Sequence, residues 1–260
     1  MVLCRRGRHA AVPCIGARMR PQNIAPHDIK VVPLERLDVA YVPRRWLFAD
    51  QRRREIDAHF AKLQRENPAL WNGRVLLLRD FTIVDRAFRG DCFDADYASF
   101  ISWQDWGFPD TNVRDCFAMA AIQSADGAFL LGVMGAHTFN AGQIYFPCGT
   151  PDPSDIVADR LDFEGSARRE LAEETGLDIA EFAVEPGWYA VFSGNLIAQM
   201  KLLRARQAAA ELRARILDYL ASEREPELAD IRIVRDPSDF DPMMPSFTVA
   251  FLRHIWSCGA

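Results

Sequence analysis

Apolar residues recur along this chain at two spacings, and the spacings predict the elements. Between Ile29 and Val42, Val31-Val32-Pro33-Leu34 and Val39-Ala40-Tyr41-Val42 read as short strands. From Phe48 to Glu66 the period lengthens. Ile56, Phe60 and Leu63 recur three to four residues apart, as the buried stripe of a helix that Asn67-Pro68 ends. Arg52, Arg53 and Arg54 fall mostly off that stripe, on a solvated face or a phosphate-binding patch. Asn72-Gly73 is turn chemistry, Arg74 to Arg79 a strand and Phe81 to Ala87 another. Tyr97 to Trp106 is aromatic-rich and reads as a short helix before the break at Gly107-Phe108-Pro109-Asp110.

A second unit begins near Val113. Cys116 to Gln123 is almost continuously apolar, which suits a strand buried on both faces. Asp126-Gly127 turns the chain into a partner strand, Ala128 to Val133. His137 to Gly142 is loop-like, and Ile144-Tyr145-Phe146-Pro147-Cys148-Gly149 is a short strand entering a turn. A polar, proline-punctuated loop, Thr150 to Arg160, leads to a helix with Asp162 as N-cap and Gly176 just past its end. Trp188 to Phe192 and Leu196 to Leu203 read as strands. Gln207 to Glu223 reads as a long amphipathic helix, Ile231 to Val234 as a strand and Ser246 to Ser257 as a terminal helix. The expected organisation is a tail over residues 1–27, a small α/β subdomain over 28–112 and a larger α/β domain over 113–260.

Composition narrows the partners. The 260 residues are 49% hydrophobic with a formal net charge of −5, so neither nucleic acid nor an anionic membrane is an expected partner. Met1 to Arg20 carries five arginines ahead of the first acid, Asp28, and no apolar signal core follows. It reads as a disordered tail, or as an upstream start with Met19 as the first residue, although an Arg-rich, acid-free leader also has transit-peptide character. The six cysteines form no C-x-x-C pair, and Cys116 and Cys148 sit in apolar runs as packed residues. Scattered thiols point to a reducing, cytoplasmic location.

The chemistry lies in Arg169-Glu170-Leu171-Ala172-Glu173-Glu174-Thr175-Gly176-Leu177. At about 100° per residue, Glu170, Glu173 and Glu174 share an arc of roughly 100° on the helix. Each like-charged pair costs about 3 kcal/mol at about 6 Å and an effective dielectric of about 20, before screening. Such a face is either fully solvated or holds a cation, and carboxylates with phosphate oxygens suit Mg²⁺.

Strands, then Phe146-Pro147-Cys148-Gly149, then this nine-residue run, resemble the Nudix hydrolase signature: Gly, five residues, Glu, seven residues, Arg-Glu-aliphatic-x-Glu-Glu-x-Gly-aliphatic. The second half matches at every specified position. The first half departs. The signature's first glutamate falls at Leu161, with Asp162 and Glu164 the nearest acids. Gly149 precedes Arg169 by twenty positions, six more than the signature, so Thr150 to Arg160 reads as an insertion, and Cys148 replaces the first of the usual glycine pair. Asn67 to Gly73 is similar to the branch of the family that hydrolyses UDP-glucose and UDP-galactose, although a helix stop and a turn account for those residues equally.

The resemblance implies an α/β/α sandwich around a mixed sheet and hydrolysis of a nucleoside diphosphate linked to another group. A nucleotide sugar is the first expectation, with ADP-ribose or another dinucleotide as the alternative. It implies Mg²⁺, or Mn²⁺, held by Glu170, Glu173 and Glu174, with Arg169 orienting one glutamate through a bidentate pair. A further acid outside the signature often serves as base or ligand in this family; Asp152, Asp155, Asp159, Asp239 and Asp241 are the candidates. Trp188, Tyr189 and Phe192 are either core residues or stack on a base. Two rival readings remain: a module of this fold that senses a nucleotide without cleaving it, and a solvated acidic helix with no catalytic use.

Overall fold

The computed structural model describes residues 29–68 and 70–258; the expected tail and Met19 lie outside them. Among the described residues, two mixed sheets and six α-helices form an α/β fold. The large sheet runs in the order β1 (Lys30–Leu34), β11 (Trp188–Ser193), β12 (Leu196–Arg204), β5 (Asp115–Gln123), β6 (Phe129–Met134), β13 (Leu228–Val234). β7 (Ile144–Tyr145) adds to β6, and β10 (Ala183–Val184) to β12. β5 and β12 pair in parallel at its centre, from Asp115 opposite Leu196 to Gln123 opposite Arg204. Both are buried at nearly every position because helices cover both faces. Among the described residues β1 is one of the two outer strands of this sheet, and it carries Pro33 opposite Tyr189.

Successive strand residues face opposite sides, and this sorts the helices. Cys116 and Ala118 pack with Phe163 and Ala167 of α4 (Phe163–Thr175). Phe117 faces the other way, with its ring 6.0 Å from that of Phe247 in α6 (Ser246–Cys258). α5 (Ala209–Ser222) lies beside α4 and against β13. Among the described residues no helix is long and apolar enough to cross a membrane.

The small sheet runs β3 (Arg74–Val84), β4 (Ala87–Asp96), β2 (Arg36–Tyr41), β9 (Arg160–Leu161), β8 (Ile156–Val157). It corrects three expectations. Arg74 to Ala87 is one long strand and a turn rather than two strands: a bulge between Leu78 and Asp80 takes up the polar break, and Asp85 and Arg86 turn the chain with φ of 48° and 56°. The helix expected over Phe48 to Glu66 is two, α1 (Leu47–Gln51) and α2 (Arg53–Glu66), broken at Arg52, whose guanidinium lies over the Trp106 ring at 4.0 Å. The expected loop Thr150 to Arg160 is folded: a 3₁₀ turn at Pro153–Asp155 precedes the β8–β9 hairpin, turned by Ala158 and Asp159 at φ of 48° and 60°.

Two elements span the boundary expected at residue 112: β1 joins the large sheet, and the β8–β9 insertion joins the small one. Arg53 holds Asp96, the N-cap of α3 (Tyr97–Asp105), with N···O distances of 3.1 and 2.9 Å, so that arginine fastens α2 to α3. The stripe Ile56, Phe60, Leu63 is buried against Tyr97, Phe100 and Ile101 of α3.

Candidate active site

α4 is built to start and stop where it does. The Asp162 carboxylate accepts the Gly165 N–H at 2.9 Å, capping the first turn. Gly176 ends the helix at φ 68°, where a side chain is disfavoured and where a Cβ would come within 2.5 Å of the Tyr219 ring. With Ala167 and Leu171 turned to the core, Glu170 and Glu174 are carried inward too, at 1% and 3% exposure, while Glu173 stays exposed.

Each buried carboxylate meets the strand that precedes the insertion. Glu170 lies against Gly149, where a Cβ would sit 2.4 Å from its Oε1, so glycine is required for the carboxylate to reach its place. Glu174 Oε1 accepts the Cys148 N–H at 3.1 Å, and its Oε2, also buried, has no partner among the described residues. Burial, then the charges of Glu170 and Glu227, push the Glu174 carboxyl well above the ordinary carboxylate range. An orphaned, buried oxygen in a group of carboxylates is the environment a hard divalent cation fits, since charge neutralisation and the missing partner come together. In the arrangement present, no three acidic, histidine or cysteine side chains among the described residues converge on one point.

Arg169 is the hub. Its Nη2 donates to both Asp155 oxygens at 2.8 and 2.9 Å, its Nη1 donates to Glu170 Oε1 at 2.5 Å, and Glu173 Oε2 lies 3.8 Å away. The bidentate pair expected to a motif glutamate is not made: Nη1 gives Glu170 one bond, and Nη2 spans both oxygens of Asp155. Burial raises the Asp155 carboxyl, and the Arg169 guanidinium opposes that.

Of the five acids proposed outside the signature, only Asp155 reaches the glutamate helix. Asp152 caps the 3₁₀ turn, and Asp159 is in the hairpin turn. Asp239 accepts the Arg235 N–H at 2.7 Å, and Asp241 pairs with Arg232 at 3.2 Å. A residue the sequence pattern did not mark is Glu227, just before β13: after burial and nearer groups, its charge adds to the raising of Glu174, the Tyr145 phenol and the Cys148 thiol. Pairing of β13 with β6 brings it there, and the Gly135 N–H holds its carbonyl at 2.7 Å.

The aromatic candidates belong to the packing. Trp188 is buried beneath Lys201, whose Nζ lies 4.9 Å from the ring, Tyr189 packs on Phe251, and Phe192 stacks on Phe81 at 5.7 Å. A cavity of about 630 Å³ runs along another face of α4, between Gly165, Arg168 and Ala172 and, across it, Ser154 and Val157 of the insertion. It meets the glutamate site only at Arg169 and Asp155.

Solved structures that resemble this chain include a Nudix hydrolase and a putative one. A MutT protein from Methanosarcina mazei Go1 is 17% identical over 56% of this chain and 96% of its own, with a TM-score of 0.36. A Nudix hydrolase from M. smegmatis, RenU, is 17% identical over 55% and 84%, with a TM-score of 0.35. A bifunctional NMN adenylyltransferase/ADP-ribose pyrophosphatase from Francisella tularensis, complexed with AMP and a manganese ion, is 13% identical over 62% and 49%, with a TM-score of 0.37. No family model and no curated protein matches the sequence. At these levels the functional reading rests on the chain's own residues.

Proposed function

We propose that the protein is a divalent-cation-dependent hydrolase of phosphoric anhydrides, cleaving a nucleoside diphosphate linked to another group. The observation that carries this reading is the unpartnered, buried Oε2 of Glu174, beside Glu170 on a helix whose sequence matches the metal-binding half of the Nudix signature. Glu170, Glu173 and Glu174 would hold Mg²⁺ or Mn²⁺. A bound cation neutralises phosphate oxygens and lowers the pKa of a coordinated water.

The chain's own residues do the placing. The Cys148 N–H fixes Glu174 Oε1 and leaves the buried Oε2 unpartnered, available to a cation. Gly149 admits the Glu170 carboxylate against the backbone, and Arg169 holds that carboxylate's Oε1. The Glu227 charge acts on Glu174 after burial and Glu170, which makes Glu227 a candidate for a base outside the signature.

A nucleotide sugar such as UDP-glucose remains the first substrate to try, on the likeness of Asn67 to Gly73 to that branch. In the fold those residues also serve locally: Asn67 caps α2, and Asn72 Oδ1 accepts the Ala98 N–H at 2.8 Å. The rival reading is a nucleotide-sensing module of the same fold, against which the intact motif glutamates stand. Purified protein with Mg²⁺ or Mn²⁺ and a panel of UDP-sugars, ADP-ribose, dinucleoside polyphosphates, NADH and coenzyme A separates the two. Hydrolysis of one class, lost in Glu174→Gln, is expected; nucleotide binding without turnover by any member would establish the sensor.

A further inference from the structure

We propose that Asp155, in the insertion, is a positioning residue for the glutamate face and acts through Arg169. It rests on the hydrolase reading above. One guanidinium serves two carboxylates: Nη2 is held by both oxygens of Asp155, and Nη1 holds Glu170 Oε1. The guanidinium is planar and rigid, so fixing one nitrogen fixes the direction of the other. The position that the signature gives to a glutamate is filled by Leu161, whose side chain is packed in the apolar cluster with Phe163 and Val39, so no carboxylate is available there.

Asp155 is in turn held on every side. Its Oδ2 accepts the Asp152 N–H at 3.1 Å, and its carbonyl accepts the N–H of Asp162, the N-cap of α4, at 2.8 Å. On one flank Leu76 of β3 donates its N–H to the Pro151 carbonyl at 2.7 Å. On the other, Tyr41 of β2 donates to the Asp159 carbonyl at 2.9 Å, and Arg160 pairs with Asp38. The small sheet thus sets the location of a buried acid, that acid sets Arg169, and Arg169 sets Glu170. Without the Asp155 charge, Arg169 is released toward Glu170 and Glu173, where it competes with a cation for the same oxygens.

Titration of the full chain with Mn²⁺, followed by calorimetry, tests this in the wild type and in Asp155→Asn, Asp155→Glu and Glu174→Gln. Asp155→Asn is expected to weaken Mn²⁺ binding by about 10- to 100-fold, the range for residues that orient metal ligands. Asp155→Glu, which restores the charge, is expected to recover part of that loss. On a hydrolysed substrate, kcat falls with KM little changed. Arg169→Lys keeps the charge but loses the fork, and gives the same loss with every residue of the insertion unchanged. Asp155→Asn and Arg169→Lys binding Mn²⁺ like the wild type, while Glu174→Gln is weakened, overturns the positioning role and leaves the hydrolase reading standing. Wild-type Mn²⁺ binding by Glu174→Gln overturns both.

Discussion

Asp115 opens β5 with its carboxyl wholly buried, one oxygen taking a hydrogen bond from Gln104 Nε2 at 3.2 Å and the other, Oδ1, without a partner among the described residues. Burial alone pushes this carboxyl up to about 7. An unfolded aspartate titrates near 3.9. Between those values the folded chain binds more protons than the unfolded one, so stability falls as pH rises, by up to about 4 kcal/mol across the window. Asp115→Asn is expected to flatten the decline of Tm from about pH 4 to about pH 7; an unchanged decline would remove Asp115 as its source. At this scale the sequence was informative where the chemistry is local. Glu170, Glu173 and Glu174 were legible because one helix turn sets their spacing. Asp155 was one acid among five, since its selection depends on a hairpin docking on β2. Glu227 had no local mark, because strand pairing far along the chain brings it to the site.

Helix α5 shows how an element depends on a neighbour for its start. Its N-cap position is Ala208, which has no side-chain acceptor, so Asp126 in the β5–β6 turn takes the Ala209 N–H at 2.8 Å and also pairs with Arg235 at 2.8 Å. The Ser124 hydroxyl, the Ala209 N–H and Arg235 hold the Asp126 carboxyl well below the usual carboxylate range. Its contribution is therefore present at neutral pH and lost on acidification. Asp126→Ala should lower Tm and speed amide exchange in the first turn of α5, and Asp126→Asn should keep part of the protection. The longer elements after residue 112, from β5 to α6, were readable from period because their apolar faces are continuous. The two turns at Asp85-Arg86 and Ala158-Asp159 were not: both place non-glycine residues in the left-handed region, where glycine or asparagine is the usual signal.

Across the whole molecule, the two sheets share one apolar cluster. Leu76, Leu78, Phe88 and Cys92 come from the small sheet, and Cys116, Ala118, Ala190 and Ile197 from the large one. A bridge between Leu78 and Arg114 adds a backbone tie. Unfolding one sheet exposes the face of the other, so both are expected to unfold together. Cys92 and Cys148 are buried, and burial raises both thiols, that of Cys92 to about 11, whereas Cys258 is exposed. In rising denaturant, thiol labelling resolved by mass should reach Cys92 and Cys148 at the same midpoint, with Cys258 modified in the native state. Separate midpoints would show two folding units. The place of Pro33 bears on how copies of the chain meet. A sheet's outermost strand is a template onto which another chain can add, but proline has no N–H to offer. With Pro33 as the fourth of the five residues of β1, a second copy docking along that border would lose a rung of its ladder, so the β1 border of the large sheet is guarded against runaway stacking even though the strands behind it are deeply buried.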